Sequence, residues 1–131
     1  MQMTFLRGWA PHILSILRIL AAATFLTHGT MKLFGWPAPF PFPLNGMLYT
    51  AAILEVVGGL LLIVGLFSRP VAFILAGEMA IAYFMVHAPM SFFPVENFGE
   101  SAILFCFVFL YLVAAGPGAW SIDGADADRR D

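Results

Sequence analysis

EVVGGLLLIVGLFSRPVAFILAGEMAIAYFMVHAP, Glu55–Pro89, is the stretch that decides the fold. Two apolar runs meet at Ser68-Arg69-Pro70, a connection too short for anything but a tight turn. Each run is close to the ~20 residues that cross a hydrocarbon layer at about 1.5 Å per residue. Pro70 suits the first turn of the second helix, and Pro89 closes it. The reading is of two membrane helices joined on one side of a bilayer.

Working outward, two further apolar segments flank this pair, giving spans at about 10–34, 47–67, 70–88 and 98–115. WPAPFPFPLNG, Trp36–Gly46, separates the first two and contains four prolines, so it cannot be helical throughout. Pro89 and Pro94 separate the last two, and Gly116-Pro117-Gly118 ends the fourth. The first stretch carries Arg7 before it, as a signal peptide would. It runs from about Trp9 to Leu33, longer than a signal core, and Arg18 interrupts it, so it is read as a retained helix. Residues 1–9 form a short N-terminus, 10–116 the membrane domain, and 117–131 an acidic tail expected to be disordered.

Composition supports this reading. The chain is 61% hydrophobic and 11% charged, where a soluble domain carries charge on about a quarter of its residues. Mean hydropathy is +0.90. Fourteen Phe and three Trp suit a bilayer core with aromatic interfaces. Six scattered basic residues make no patch for nucleic acid. The single Cys106 excludes an intrachain disulfide and any CxxCH attachment of haem. The fold expected is all-α, an integral membrane four-helix bundle. Arg7, Arg69, Arg129 and Arg130 fall on one side, so both termini are expected to be cytoplasmic and the two Pro- and Phe-rich loops to face outward. Those loops are apolar enough to lie on the membrane surface or over the bundle mouth.

Ionisable groups inside a span cost about 2.5–3.5 kcal/mol each at its centre and so need a reason. Arg18, Glu55 and Glu78 lie within the first three helices, and an Arg18–Glu55 or Arg18–Glu78 ion pair is expected. One arginine cannot neutralise two glutamates, so the other should carry a proton or contact a ligand; the plainer alternative is an ion pair that fixes helix register. A second polar layer lies near the outer surface: His28 and Lys32, four apart on one helix face, then His87, Asn97 and Glu100, with Glu100 also suited to a helix first turn. Glu78 and His87 are nine apart, opposite one another on a regular helix, and share a face only if the helix unwinds before Pro89. The glycines of the second helix, Gly58, Gly59 and Gly65, share a face with Ala51, Glu55 and Leu62 and read as close-packing positions. His28 and His87 could hold a non-covalent haem between them, the weaker reading, or hydrogen-bond a quinone carbonyl. No metal-spaced His/Cys cluster, nucleophilic triad or phosphate loop is present.

HGTMKLFGW (His28–Trp36), EVVGGLLLIVGLFSR (Glu55–Arg69), AGEMAIAYFMVHAP (Ala76–Pro89), FFPVENFGE (Phe92–Glu100) and AGPGAWSID (Ala115–Asp123), in this order, resemble the DoxX family of small four-helix membrane proteins. The family takes its name from a small subunit associated with archaeal quinol oxidase and thiosulfate:quinone oxidoreductase. By resemblance, Arg18, His28, Lys32, Glu55, His87, Asn97 and Glu100 match its polar positions, whereas Glu78 stands where relatives are often apolar. The resemblance implies an accessory subunit of a respiratory or redox complex in a bacterial inner membrane, partnered by other membrane subunits, with a quinone-facing polar pocket near the outer leaflet. Two alternatives stay open: a purely structural or assembly protein, and a small-solute transporter acting as a homo-oligomer. A stand-alone enzyme is the least favoured.

Overall fold

The computed structural model describes residues 3–125, and among them there is helix and no strand. A 3₁₀ segment, Thr4–Trp9, leads into α1, Ala10–Phe34. Then come α2, Gly46–Val64, and α3, Ser68–Ala82, which continues as a π-helical turn over Tyr83–His87. A single turn, α4, Pro94–Asn97, precedes α5, Glu100–Ala115. Three helical stretches are long and apolar enough to cross a membrane: Thr4–Phe34, Gly46–Val64 and Ser68–His87. The fourth, α5, has 16 residues and extends only about 24 Å.

Local chemistry sets the helix ends. Pro11 occupies the first turn of α1, and Gly35 ends it in the left-handed region at φ 66°. Asn45 caps α2, its side chain accepting from the Leu48 N–H at 2.9 Å. Gly65 at φ 72° stops α2 at Val64, short of the Phe67 expected for the second span. The helix expected as the fourth span begins at Glu100, not Phe98, because Phe98 turns left-handed at φ 59° and the Asn97 side chain accepts from the Gly99 N–H.

The helices pack in series: α1 on α2, α2 on α3, and α3 on α5, with a lighter contact between α5 and α1. Small residues permit the close approaches. A β-carbon at Gly29 would lie 2.9 Å from the Ala52 carbonyl oxygen, so α1 and α2 touch backbone to backbone there. Phe25, Leu62, Leu75, Phe109 and Leu112 fill the core between the helices, and the Phe25 ring meets Phe109 edge-on at 5.0 Å. The outer faces of the helices are strongly apolar, with Ile13, Leu20, Leu60, Phe73, Leu104 and Phe107 all exposed.

Residues 11–15, 65–69 and 117–123 meet at one end of the molecule. The Ser15 hydroxyl donates to the Pro117 carbonyl, the Ala119 N–H to the Pro11 carbonyl, and the Asp123 N–H to the Gly65 carbonyl. The tail expected to be disordered from 117 is therefore docked over 117–125, and the rest of it, 126–131, lies outside the described residues. Its anchor is chemical: the Asp123 carboxylate accepts from the backbone N–H groups of Phe67 at 3.0 Å and Ser68 at 2.8 Å. A residue 55 positions away thus caps the N-terminus of α3 and holds Phe67 in its left-handed conformation, φ 51°.

Candidate functional site

The polar residues of the spans separate into two clusters at opposite ends of the molecule. At the terminal end, Arg18 is fully buried and spends its donors on main-chain carbonyls. Its Nε donates to Leu62 at 2.8 Å, its Nη2 to Trp120 at 2.6 Å and Ile63 at 3.4 Å, and its Nη1 to Pro117. The expected ion pair of Arg18 with Glu55 or Glu78 does not form. Arg18 lies about 21 Å along α1 from Lys32, at the end where the C-terminal segment docks. The nearby Arg18 charge acts on Asp123 instead. Burial pushes the Asp123 carboxyl up, but the hydrogen bonds from Ser68 and Phe67, with Arg18, outweigh it and hold it below the usual carboxylate range.

At the opposite end, Lys32 takes the role expected of Arg18. Its ammonium grips both oxygens of Glu55, at 2.6 and 2.8 Å, with the Glu55 side chain almost wholly buried. Gly29, one turn before Lys32, lets α2 come close enough for this pair to close. The Lys32 ammonium also sits 5.6 Å from the centre of the Phe40 ring, so the Pro-rich loop folds over the pair.

This ion pair lies in the wall of a cavity of about 880 Å³ between α1, α2, α3 and α5, within the range of small-molecule sites. Phe25, Phe40, Phe42, Phe98 and Phe105 supply much of its surface, and His28, Lys32, Glu55, Glu78 and His87 its ionisable groups. The His28 ring is held against Phe105, 5.9 Å away and edge-on. Both carboxylate oxygens of Glu78 are buried and have no hydrogen-bond partner. His87 reaches the same cavity because of the π turn: nearly one extra residue in the turn rotates it by roughly 100° relative to a regular helix, from opposite Glu78 to within about a quarter turn of it.

Asn97 and Glu100 do not line the cavity. Asn97 is buried and ties the α4 turn to the π turn: its Nδ2 donates to Tyr83 Oη and the Ser91 carbonyl, and its own carbonyl accepts from His87 Nδ1 at 2.8 Å. That bond fixes the His87 ring. Glu100 opens α5 from an exposed position. Sequence reasoning missed the aromatic lining, Thr50 and Ser101 in the cavity, and Ser15 and Asp123 as companions of Arg18. The one available signal was Ser15 itself, a hydroxyl three residues and nearly one turn before Arg18.

The DoxX family model matches residues 13–88, more than half of the chain and most of the residues that frame the cavity. The chain belongs to the DoxX family. A DoxX protein with this many apolar residues facing outward from its helices is an integral membrane protein. It is similar to a protein of Haemophilus influenzae described as uncharacterized, 42% identical over 132 aligned positions that cover 92% of this chain and 96% of the relative. No solved structure matches this DoxX chain.

Proposed function

We propose that this DoxX protein crosses a bacterial inner membrane four times, with both termini cytoplasmic, as an accessory subunit of a respiratory or redox complex. Its cavity, near the outer leaflet, takes a quinone-class ligand. The observation that carries this reading is the convergence of His28, Lys32, Glu55, Glu78 and His87 on one end of a Phe-lined cavity. Charged groups placed there are expensive in a bilayer and call for a ligand or proton to serve. A quinone matches the cavity in kind: an apolar ring and tail for the aromatic walls, and carbonyl oxygens for the polar end. The proposed orientation follows from Arg7 and Arg69 at the terminal end and Lys32 alone at the other. The docking of residues 117–123 beside 11–15 supports a reading with both termini on one side, as an even number of crossings requires. In this reading electron transfer belongs to a partner subunit.

Extraction from native membranes in a mild detergent, followed by mass spectrometry of the intact assembly and of extracted lipids, tests the proposal. Stoichiometric recovery with an oxidoreductase subunit, with quinone bound, is the expected result. Recovery of the protein alone or only as a homo-oligomer overturns the accessory-subunit role.

A further inference from the structure

Lys32 and Glu55 satisfy one another, and this leaves Glu78 as the odd member of the cavity. The Lys32 ammonium engages both Glu55 oxygens, whereas both Glu78 oxygens are buried without a partner. A lone carboxylate in an apolar cavity is among the costliest arrangements a protein can hold, because nothing replaces the water that solvated its charge. The groups that share the cavity with it offer no second cation to compensate. α2 contributes Glu55, itself a carboxylate; α1 contributes Lys32, already engaged, and His28, packed against Phe105; the π turn contributes His87, held by Asn97; α5 contributes no ionisable side chain to the lining. One lysine facing two carboxylates is balanced when one of the two carries a proton. That proton changes what Glu78 offers: an acceptor becomes an O–H donor buried in the wall of the cavity beside Glu55, within one side-chain rotation of a ligand in a space that otherwise presents mainly hydrocarbon.

We propose that Glu78 is the ligand-contacting group of the cavity and acts as a neutral carboxylic acid, donating a hydrogen bond to a carbonyl oxygen of an uncharged amphipathic ligand. The inference rests on the quinone-class reading of the cavity for the identity of the ligand, but not for the state of Glu78. The ligand's carbonyl oxygen supplies the partner that the side chain lacks. Met79 and Phe105 provide apolar surface beside it, so a planar ring is held by its face and a single oxygen by Glu78. Glu55 is structural on this view, and the role of reading the ligand falls to Glu78.

The test uses the full-length protein in lipid nanodiscs, with a short-tailed ubiquinone analogue as probe and two readouts. Binding is measured for the wild type, Glu78→Gln and Glu78→Ala. Glutamine keeps a donor and no charge, so Glu78→Gln is expected to bind within about threefold of wild type, while Glu78→Ala loses about tenfold, the worth of one hydrogen bond. Wild-type binding should weaken at alkaline pH and Glu78→Gln binding should not change. Infrared difference spectra of wild type against Glu78→Gln, without ligand, should show the carbonyl stretch of a protonated carboxyl group at neutral pH. Absence of that band overturns the proposal whatever binds. So does a Glu78→Ala variant that binds like wild type, or wild-type binding that tightens as pH rises. If the band is present and no quinone analogue binds the wild type, the quinone reading fails while the neutral Glu78 stands.

Discussion

Replacing Lys32 with methionine strands Glu55. In the wild type the ammonium lies 2.6 Å from Glu55 Oε1, with the lysine side chain 11% and the glutamate 3% exposed. At a charge separation of about 3 Å and an effective dielectric near 20, the attraction is about 5–6 kcal/mol before desolvation is counted. Burial of both ions offsets much of that, so the pair adds little over two well-packed neutral groups. Removing one partner is different, because the survivor keeps its desolvation cost. Lys32→Met is therefore expected to destabilise by about 3–5 kcal/mol, on the order of 150- to 4,000-fold in the folding equilibrium. Lys32→Met combined with Glu55→Gln has no stranded charge and should recover to within about 1 kcal/mol of wild type. Unfolding in mixed micelles titrated with SDS, followed by helix signal, measures all four members of the cycle. A single variant that loses less than about 1 kcal/mol, or a double variant no better than the single, refutes the reasoning and makes the pair a solvated contact.

Two further perturbations probe the packing and the docked C-terminal segment. Gly29→Ala places a methyl group against the Ala52 carbonyl oxygen, which cannot yield, and should cost about 1–3 kcal/mol. Gly77→Ala has nothing within 4 Å and should be neutral or stabilising by up to about 1 kcal/mol, so equal thermal shifts in detergent would discount the helix contact at Gly29. Asp123 is held below the usual carboxylate range, so its contribution to docking is complete above the unfolded value near 4 and is lost as pH falls through the lower folded value. Pepsin cleavage within residues 117–125 should therefore rise steeply below about pH 4, and Asp123→Asn should show already at higher pH the susceptibility that the wild type acquires only in acid. Cleavage that is flat with pH, or an asparagine variant as protected as wild type, would remove Asp123 as the clasp.

The helices were legible because their signal is local. Ala10–Phe34 follows from a long apolar run, broken only by a few polar residues, that is entered at Pro11 and left at Gly35, and α1 spans those same residues. The second and fourth helices differ by a few residues where Gly65 or the Asn97 side chain beside a left-handed Phe98, not hydropathy, sets the end. Of the candidate residues, His28, Lys32, Glu55, Glu78 and His87 meet in one cavity; depth along each helix put His28, Lys32 and His87 in one layer but assigned Glu55 and Glu78 to a deeper one with Arg18. The pairing was not legible. Arg18 and Lys32 are both cations on one helix, and which of them meets Glu55 depends on the crossing of α1 and α2, fixed by backbone contact at Gly29. His87 joined Glu78 through a π turn, which no periodicity argument supplies. The docked segment escaped notice because the tail 117–131, read as one piece, is rich in small residues and aspartate, whereas the order of 117–123 comes from Arg18 and from bare amides at Phe67 and Ser68.

The bonds of Arg18 also impose a timetable on biosynthesis. Its partners at Leu62 and Ile63 are made some 44 residues after it, and those at Pro117 and Trp120 some 99 and 102 residues after it. At about 5–20 residues per second, the guanidinium waits roughly 5–20 s for its last acceptors. Through that interval the first helix must rest with Arg18 at a hydrated boundary, because a bilayer offers nothing else to bind it. The terminal end of the molecule therefore closes only once residues 117–120 are free to fold back, later than α5 is made. A chain cut just before Pro117 would keep α1, α2, α3 and α5 around an open seam.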